Sequence, residues 1–187
     1  MKKTKLLVLL LTMFVVQSFY SAAYAQSAFT PGNLVVFRSG DGSAALSSAA
    51  TVIYLEEFTT AGTTVQSFAL PTTGANMITT AGSSGTEGQL TLSPDSYYLI
   101  VAGYNAVPGT AGVAATTSAT VNRKLVKIDN AVTYSSLLSA TAFSTKSIRC
   151  GVTNGNDFWA SGDGNAGTNG VQYFGNGTPC QVTSTKT

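Results

Sequence analysis

The feature that most constrains the fold of this chain is an internal repeat: a short apolar run that ends at a glycine. The three copies lie at 33–42, 97–105 and 157–164, and their glycines are 63 and 59 residues apart. Those glycines are Gly40, Gly103 and Gly162. The first and third copies both end in Ser-Gly-Asp-Gly, which we interpret as a tight turn. A repeat of this period, built from short strands, predicts a β-propeller or a related array of sheets.

The first 25 residues have the features of a secretory signal peptide. Three lysines within the first five residues precede an apolar run at 6–16, and Ala23-Tyr24-Ala25 is a small-x-small cleavage site. The apolar run is about half of the roughly 20 residues that a membrane span needs. We therefore expect cleavage before Gln26, no membrane span in the mature chain, and a secreted, periplasmic or cell-surface location.

The charge of the chain argues against nucleic acid as a partner. The full sequence has ten basic and eight acidic residues, no histidine and a net charge of +2. Without the three lysines of the signal the net charge becomes −1, and no basic cluster remains. The absence of histidine also excludes a Ser-His-Asp triad, and no Gly-x-Ser-x-Gly elbow occurs. We therefore predict no catalytic residue and no cofactor.

The mature chain, 26–187, is predicted to be a single all-β domain. Its strand-forming runs fall into three units, at about 29–71, 88–138 and 146–184. Each unit is predicted to hold four short antiparallel strands in a meander, which is the make-up of a propeller blade. The run Tyr97–Ala102 is apolar at every position, as expected of a strand buried on both faces. The expected fold is thus about three four-stranded antiparallel meander repeats, a partial β-propeller.

The opening of the mature chain resembles the start of a group of uncharacterised secreted bacterial proteins. Segment 29–46 has the pattern Phe-Thr-Pro-Gly-Asn-Leu-Val-Val-x-Arg-x-Gly-Asp-Gly-Ser-Ala-Ala-Leu, and 65–71, 87–93 and 121–123 follow in the order typical of that group. The resemblance implies a β-propeller and assigns no catalytic residue. Closed propellers have four to eight blades. Three units therefore predict either the front part of a longer ring or protomers that self-associate to complete one.

The two cysteines allow two interpretations. In an exported protein, Cys150 and Cys180 would form a disulfide that closes a loop of roughly 30 residues. Alternatively, both are free buried thiols that behave as small apolar residues. A zinc site is not expected, because two isolated cysteines without histidine cannot complete a tetrahedral shell.

Several polar residues are candidates for binding or catalytic groups. Asp163, Asn165 and Asn169 alternate with small residues as in a calcium loop, but Gly167 stands at a ligand position and no bidentate Glu follows. Adjacent strand residues Glu56 and Glu57 are expected to point to opposite faces, and we interpret them as one solvated strand edge. The remaining carboxylates at predicted turns are expected to cap the backbone. These are Asp95, Asp129 and Asp157.

The aromatic residues suggest a second kind of site. Trp159 and Tyr104, in or beside predicted strands, could stack on sugar rings, or they could pack between adjacent blades. Together these features predict an exported binding or structural surface module with a carbohydrate or protein ligand. The alternative is a fragment of a polysaccharide lyase or hydrolase. That alternative needs charged groups that converge at the glycine turns, where the sequence offers Asp41, Asp163 and Arg38.

Overall fold

The computed structural model describes residues 26–165, 169–175 and 180–183, and this part of the chain is all-β with antiparallel sheets, as predicted. Neither of its two sheets is closed. The strands are β1 (Leu34–Ser39), β2 (Ala50–Phe58), β3 (Thr64–Ala69), β4 (Thr79–Ala81), β5 (Thr91–Leu92), β6 (Tyr98–Tyr104), β7 (Arg123–Asp129), β8 (Tyr134–Ser139), β9 (Ile148–Thr153), β10 (Phe158–Gly162), β11 (Gly170–Tyr173) and β12 (Cys180–Thr183). A 3₁₀ turn lies at Val113–Ala115. No helix among the described residues is long and apolar enough to cross a membrane.

The first unit is a three-stranded meander rather than the four-stranded one that was predicted. β2 pairs with β1 and β3 along 53–58, while its first three residues, 50–52, pair with β4. β4 in turn pairs with β6, so an eight-stranded sheet joins the first unit to the second. The sequence around β4 is rich in Thr, Gly and Ser and predicts a loop. All three β4 residues are nevertheless buried, so tertiary burial overrides the weak local preference.

The second and third units each contain four antiparallel strands. In the second unit β5 pairs with β6, β6 with β7, and β7 with β8. The third unit is a separate sheet with the order β12-β11-β10-β9. Its strands follow one another along the chain, so short turns suffice to connect neighbouring strands.

Strand β6 is buried on both faces and separates two apolar cores, as its sequence predicts. Ile100, Ala102 and Tyr104 belong to the core shared with the third unit. Val101 belongs to the core shared with the first unit, and Leu99 packs against it. Side chains alternate along a strand, so the second unit lies between the other two units.

The glycine repeat is equivalent in its second and third copies but not in its first. Gly103 lies within β6 and Gly162 within β10, the second strands of their units. At Gly103 an added Cβ would meet the Thr79 carbonyl, and at Gly162 it would lie 2.6 Å from the Ser147 carbonyl. Both glycines thus let the second strand of a unit approach the chain that precedes its first strand. Gly40 instead follows β1 with φ +68. The interpretation of both Ser-Gly-Asp-Gly segments as turns is therefore wrong for the third copy.

The predicted bridge between Cys150 and Cys180 is not seen. Cys150 is a free thiol in β9, with its Sγ 3.1 Å from the hydroxyl of Ser161, whereas Cys180 begins β12. β9 and β12 are the two edges of a four-stranded sheet. Three inter-strand steps place the two backbones about 14 Å apart, while bridged cysteines have Cα atoms within about 7 Å. The side chain of Cys180 lies outside the described part of the structure.

Candidate functional site

A cleft of about 370 Å³ opens between the first and second units, and we call it the inter-unit cleft. Its apolar surface includes Val35 of β1, Leu99 of β6 and Ile128 of β7. Ile128 is fully buried, and the other two side chains pack against the same core. The base of the cleft is therefore part of the rigid packing between two sheets, which preorganises it for a ligand.

One wall of the cleft is the segment 29–33, which enters β1. The Glu57 carboxylate anchors this segment by hydrogen bonds. Its Oε1 accepts from the Thr30 amide at 2.8 Å and from the side-chain amide of Asn33 at 2.7 Å. Gln66 donates to the second carboxylate oxygen at 2.6 Å. Phe29 donates its backbone N–H to the carbonyl of Asn130, at 2.8 Å, which ties the wall to the second unit.

Glu57 is a structural carboxylate rather than part of a solvated edge. Its side chain is fully buried, whereas Glu56 on the opposite face forms an ion pair with Arg38 at 2.8 Å. The expected opposite orientation of the two glutamates is thus confirmed, and the expected solvation is wrong for Glu57. Burial raises the pKa of Glu57, but the hydrogen bonds from Gln66, Thr30 and Asn33 outweigh it and leave that pKa below its usual value.

The opposite wall is the tight turn between β5 and β6. The Asp95 carboxylate accepts hydrogen bonds from the Ser93 hydroxyl at 2.5 Å and from the Tyr97 amide at 3.2 Å, which is the predicted capping role. These hydrogen bonds, that from Ser93 first, lower the pKa of Asp95. Ser96 has φ 61, so the turn passes through the left-handed region. The turn leaves the ring of Tyr97 67% exposed at the rim of the cleft.

The β7–β8 turn supplies the third side of the cleft. Asp129 caps this turn by accepting a hydrogen bond from the Thr133 amide at 2.8 Å, and Asn130 follows it at the rim. The described residues that line the cleft include two acidic residues, Asp95 and Asp129, and neither lysine nor arginine. Asp129 also lines a smaller neighbouring pocket together with Lys127. The cleft therefore combines an apolar base, aromatic rings and polar turns at its rim.

The two aromatic residues predicted to stack on a ligand lie elsewhere. Tyr104 is fully buried and donates its hydroxyl to Glu87 at 2.6 Å, so it cannot contact a ligand, and that prediction is wrong. Trp159 is half-buried on the outer face of the third unit, with its ring 5.5 Å from that of Tyr173. Tyr97 and segment 29–33 are more than 60 residues apart in the sequence, and no sequence pattern indicates that they line the same cleft.

Tyr104 is part of a buried polar cluster whose members are linked by hydrogen bonds and a cation–π contact. Glu87 accepts from Tyr104 on one oxygen and from Thr80 and the amide of Ala81 on the other. Burial, with the Glu87 charge beside it, raises the pKa of Tyr104 far above the usual range. The Arg123 guanidinium lies over the Tyr104 ring at 4.9 Å and is fully buried. Its nitrogens donate to five backbone carbonyls, those of Ala114, Thr116, Val121, Phe143 and Lys146.

The other candidate groups have local partners. The Asp163 carboxylate accepts from the Gly164 amide at 3.0 Å, and the Asn169 carbonyl accepts from Gln172 at 2.9 Å. Residues 166–168 of the proposed calcium loop lie outside the described residues. Within the described part of the chain, no group of three His, Cys, Asp or Glu side chains is placed to hold a metal ion. At the first glycine turn Asp41 accepts from Ser43 at 2.9 Å, while Arg38 pairs with Glu56.

Comparison of the chain with protein-family models, with curated protein sequences and with solved structures gave no match.

Proposed function

We propose that this chain is an exported β-propeller-type binding module whose ligand site is the inter-unit cleft. The observation that carries the proposal is the concave site itself. An exposed tyrosine and two acidic turn residues border an apolar base that belongs to the packed core. Ligand sites in proteins typically have this composition, a mainly apolar surface with a few polar groups that fix orientation.

The relative positions of the first strands support the propeller arrangement. The ring of Phe37 in β1 packs against Gly88 just ahead of β5, where an added Cβ would lie 2.7 Å from the ring. Gln89 forms a parallel bridge with Cys150 of β9, and Thr91 of β5 donates its hydroxyl to the carbonyl of Gly151. The first strands of all three units thus lie along one edge of the stacked sheets. Blades that surround a common channel need this arrangement.

The chemistry of the cleft favours a carbohydrate as the ligand. A sugar ring has an apolar face of C–H groups that can pack on the exposed ring of Tyr97. Its hydroxyls can hydrogen-bond to Asp95, Asp129 and the side-chain amide of Asn130. The alternative of a polysaccharide lyase or hydrolase has less support, because Arg38 is engaged in an ion pair and Asp41 caps its own turn.

Glycan-array screening followed by calorimetric titration of the mature chain tests this proposal. We expect Tyr97→Ala to abolish binding of the retained glycan without lowering the melting temperature, because the Tyr97 side chain is largely exposed. Trp159→Ala is the matched control, since Trp159 lies on the outer face of the third unit. Binding that survives Tyr97→Ala and is lost in Trp159→Ala would move the site to that outer face.

The exposed sheet faces of the first and third units, which point away from the second unit, favour a second role in self-association. On the first unit Leu34 and Val36 are 56% and 44% exposed, while Val35 between them packs inward. On the third unit Val152, 39% exposed, lies opposite Trp159 on the neighbouring strand. We propose that the third unit of one copy packs against the first unit of a second copy, as adjacent units do within the chain. Two copies would then supply six blades, within the range of closed propellers.

Light scattering coupled to gel filtration tests the second role. We expect a dimer that Val36→Asp converts to monomer, because the new carboxylate, directly opposite Glu56, would be buried in the interface without a partner of opposite charge. Leu46→Asp is the control for added charge, because Leu46 is 48% exposed and lies outside the strands. A native chain that remains monomeric at high concentration would refute self-association and leave the cleft proposal unaffected.

A further inference from the structure

The backbone that leads into the cleft wall is anchored to both the first and the second unit. The side-chain amide of Gln66, in β3, accepts a hydrogen bond from the Ser27 N–H at 3.2 Å and donates one to the Ser27 carbonyl at 3.1 Å. The N–H of Phe29 donates to the carbonyl of Asn130 in the second unit. Terminal segments of a domain are poorly ordered unless they are tied down. These bonds therefore give the residue just before Ser27 a defined position.

That residue is Gln26, and its side chain contacts a hydroxyl of the second unit. The Tyr134 hydroxyl, in β8, donates a hydrogen bond to Oε1 of the Gln26 amide at 2.8 Å. The ring of Tyr134 packs against the core shared with the first unit, so the fold sets the position of the hydroxyl. Burial raises the pKa of Tyr134 above its usual value of 10.0, by more than the hydrogen bond to Gln26 lowers it. The hydroxyl is therefore protonated at neutral pH and polarises the Gln26 carbonyl.

We infer that Gln26, as the N-terminal residue of the exported chain, cyclises to pyroglutamate with the Tyr134 hydroxyl as the assisting donor. This modification goes beyond the proposed ligand binding, and it rests on the proposed export only because cleavage before Gln26 creates the α-amine. The neutral amine attacks Cδ of its own side chain. The N–Cδ bond forms, the Cδ–Nε2 bond breaks, and the amine gives up a proton to the departing nitrogen, which leaves as ammonia. The reaction needs no oxidant and no second reactant.

The contact with Tyr134 suits both the transition state and the product. Negative charge develops on Oε1 during the attack, and a fixed donor about 2.7–3.1 Å away stabilises such an oxygen. After ring closure Oε1 is the carbonyl oxygen of the lactam and can accept the same hydrogen bond. The modified terminus would therefore keep its contact with the second unit. It would also lose the free α-amine that aminopeptidases require.

A fusion protein whose N-terminal tag is cut off directly before Gln26 allows the rate to be measured. Intact-mass spectrometry then follows the loss of ammonia at about pH 8, near the pKa of an α-amine. We expect the natural chain to cyclise at least about tenfold faster when folded than when unfolded in urea, because one oxyanion donor contributes about 10²–10³ in enzymes. Tyr134→Phe removes the donor and should lower the folded rate to that of the unfolded chain.

Two variants serve as controls. Tyr173→Phe is the matched control, because it removes a phenol hydroxyl that donates to Asp157 in the third unit, and it should leave the rate unchanged. Gln26→Ala lacks the reacting amide, so any mass change in this variant reports reactions elsewhere in the chain. Melting temperatures show whether the two tyrosine variants fold. The comparison of the natural chain in buffer and in urea needs no variant.

The outcomes separate this inference from the proposed export. Equal rates in the folded natural chain, in Tyr134→Phe and in urea would overturn the role of Tyr134. The N-terminus of the natural chain exported by a bacterial host supplies the second test. A chain that begins at an uncyclised Gln26 would overturn the inference and leave export standing. A chain that begins at another residue would overturn both the inference and the predicted cleavage site.

Discussion

The buried carboxylate of Glu57 gives the sharpest test of how this chain is held together. Glu57→Gln keeps the size of the side chain but replaces one accepting oxygen with an amide that donates. The natural carboxylate accepts three hydrogen bonds, from Thr30, Asn33 and Gln66, at 2.6 to 2.8 Å. One of these three donors would therefore face the N–H groups of the new side-chain amide instead of an accepting oxygen. Rotating the Gln66 amide cannot repair this, because both ends of that amide already bond to the backbone of Ser27.

The expected cost follows from the chemistry of the lost contact. A hydrogen bond to a charged group contributes about 1.5–3 kcal/mol, and a buried donor left without an acceptor costs about 1–3 kcal/mol. We therefore expect Glu57→Gln to lower the free energy of unfolding by about 2–4 kcal/mol. The neighbouring variant Glu56→Gln removes only the partly exposed ion pair with Arg38 and should cost about 0–1 kcal/mol.

Urea unfolding of residues 26–187 at neutral pH measures both variants. The two substitutions are chemically identical and one residue apart, so a larger loss of stability for Glu57→Gln, in spite of the ion pair that Glu56→Gln removes, reports the burial and hydrogen bonding of Glu57. Equal effects below about 1 kcal/mol would refute the assignment of Glu57 as the anchor of segment 29–33. Because Thr30 and Asn33 line the inter-unit cleft, Glu57→Gln should also weaken ligand binding, whereas Glu56→Gln should not.

The same carboxylate predicts how stability depends on pH. The pKa of Glu57 in the folded chain lies below its usual value of 4.5, because hydrogen bonds to the charged form outweigh the effect of burial. Its contribution is therefore complete above about pH 4.5 and is lost as the pH falls through the lower, folded-state pKa. Glu57→Gln lacks this titration, so its stability should fall less on acidification than that of the natural chain. Parallel curves for the two proteins would contradict the assignment.

Four further substitutions test the packing and the state of the cysteine. Arg123→Met should cost about 3–5 kcal/mol in urea unfolding, because it leaves five backbone carbonyls without their buried donor. Gly151→Ala should cost about 1–3 kcal/mol, since its Cβ would collide with Leu125 across the second and third units. Gly85→Ala, with nothing within 4 Å of the added carbon, should stay within about 0.5 kcal/mol. Cys150→Ser should cost less than about 1 kcal/mol, whereas loss of a disulfide closing a 30-residue loop would cost about 3 kcal/mol.

The sequence predicts the parts of this fold that depend on local pattern. The unbroken apolar run of β6 is diagnostic because a strand can be apolar at every position only when both faces are covered. The turns at Asp95 and Asp129 follow from residues whose side chains bond the backbone ahead of them. The buried strand β4 has no such signal. Three small residues, Thr79 to Ala81, acquire strand structure only because β2 and β6 lie on either side of them.

The candidate site could not be predicted because it is assembled from distant segments. Phe29 and Tyr97 line one cleft only when the first sheet packs on the second, and no local pattern encodes that contact. Tyr104 shows the converse error, since the apolar run before it is expected to end at Gly103, which suggests exposure of the next residue. β6 in fact continues through Gly103 to Tyr104, and the Tyr104 ring is buried beneath Arg123.

The distribution of charge connects the fold to the proposed function. The buried charged side chains of Arg123 and Glu57 each form several hydrogen bonds. At the surface, the carboxylates of Asp95 and Asp129 stabilise the two turns that border the inter-unit cleft. Charged side chains therefore fix the position of the segments on which the proposed ligand site depends.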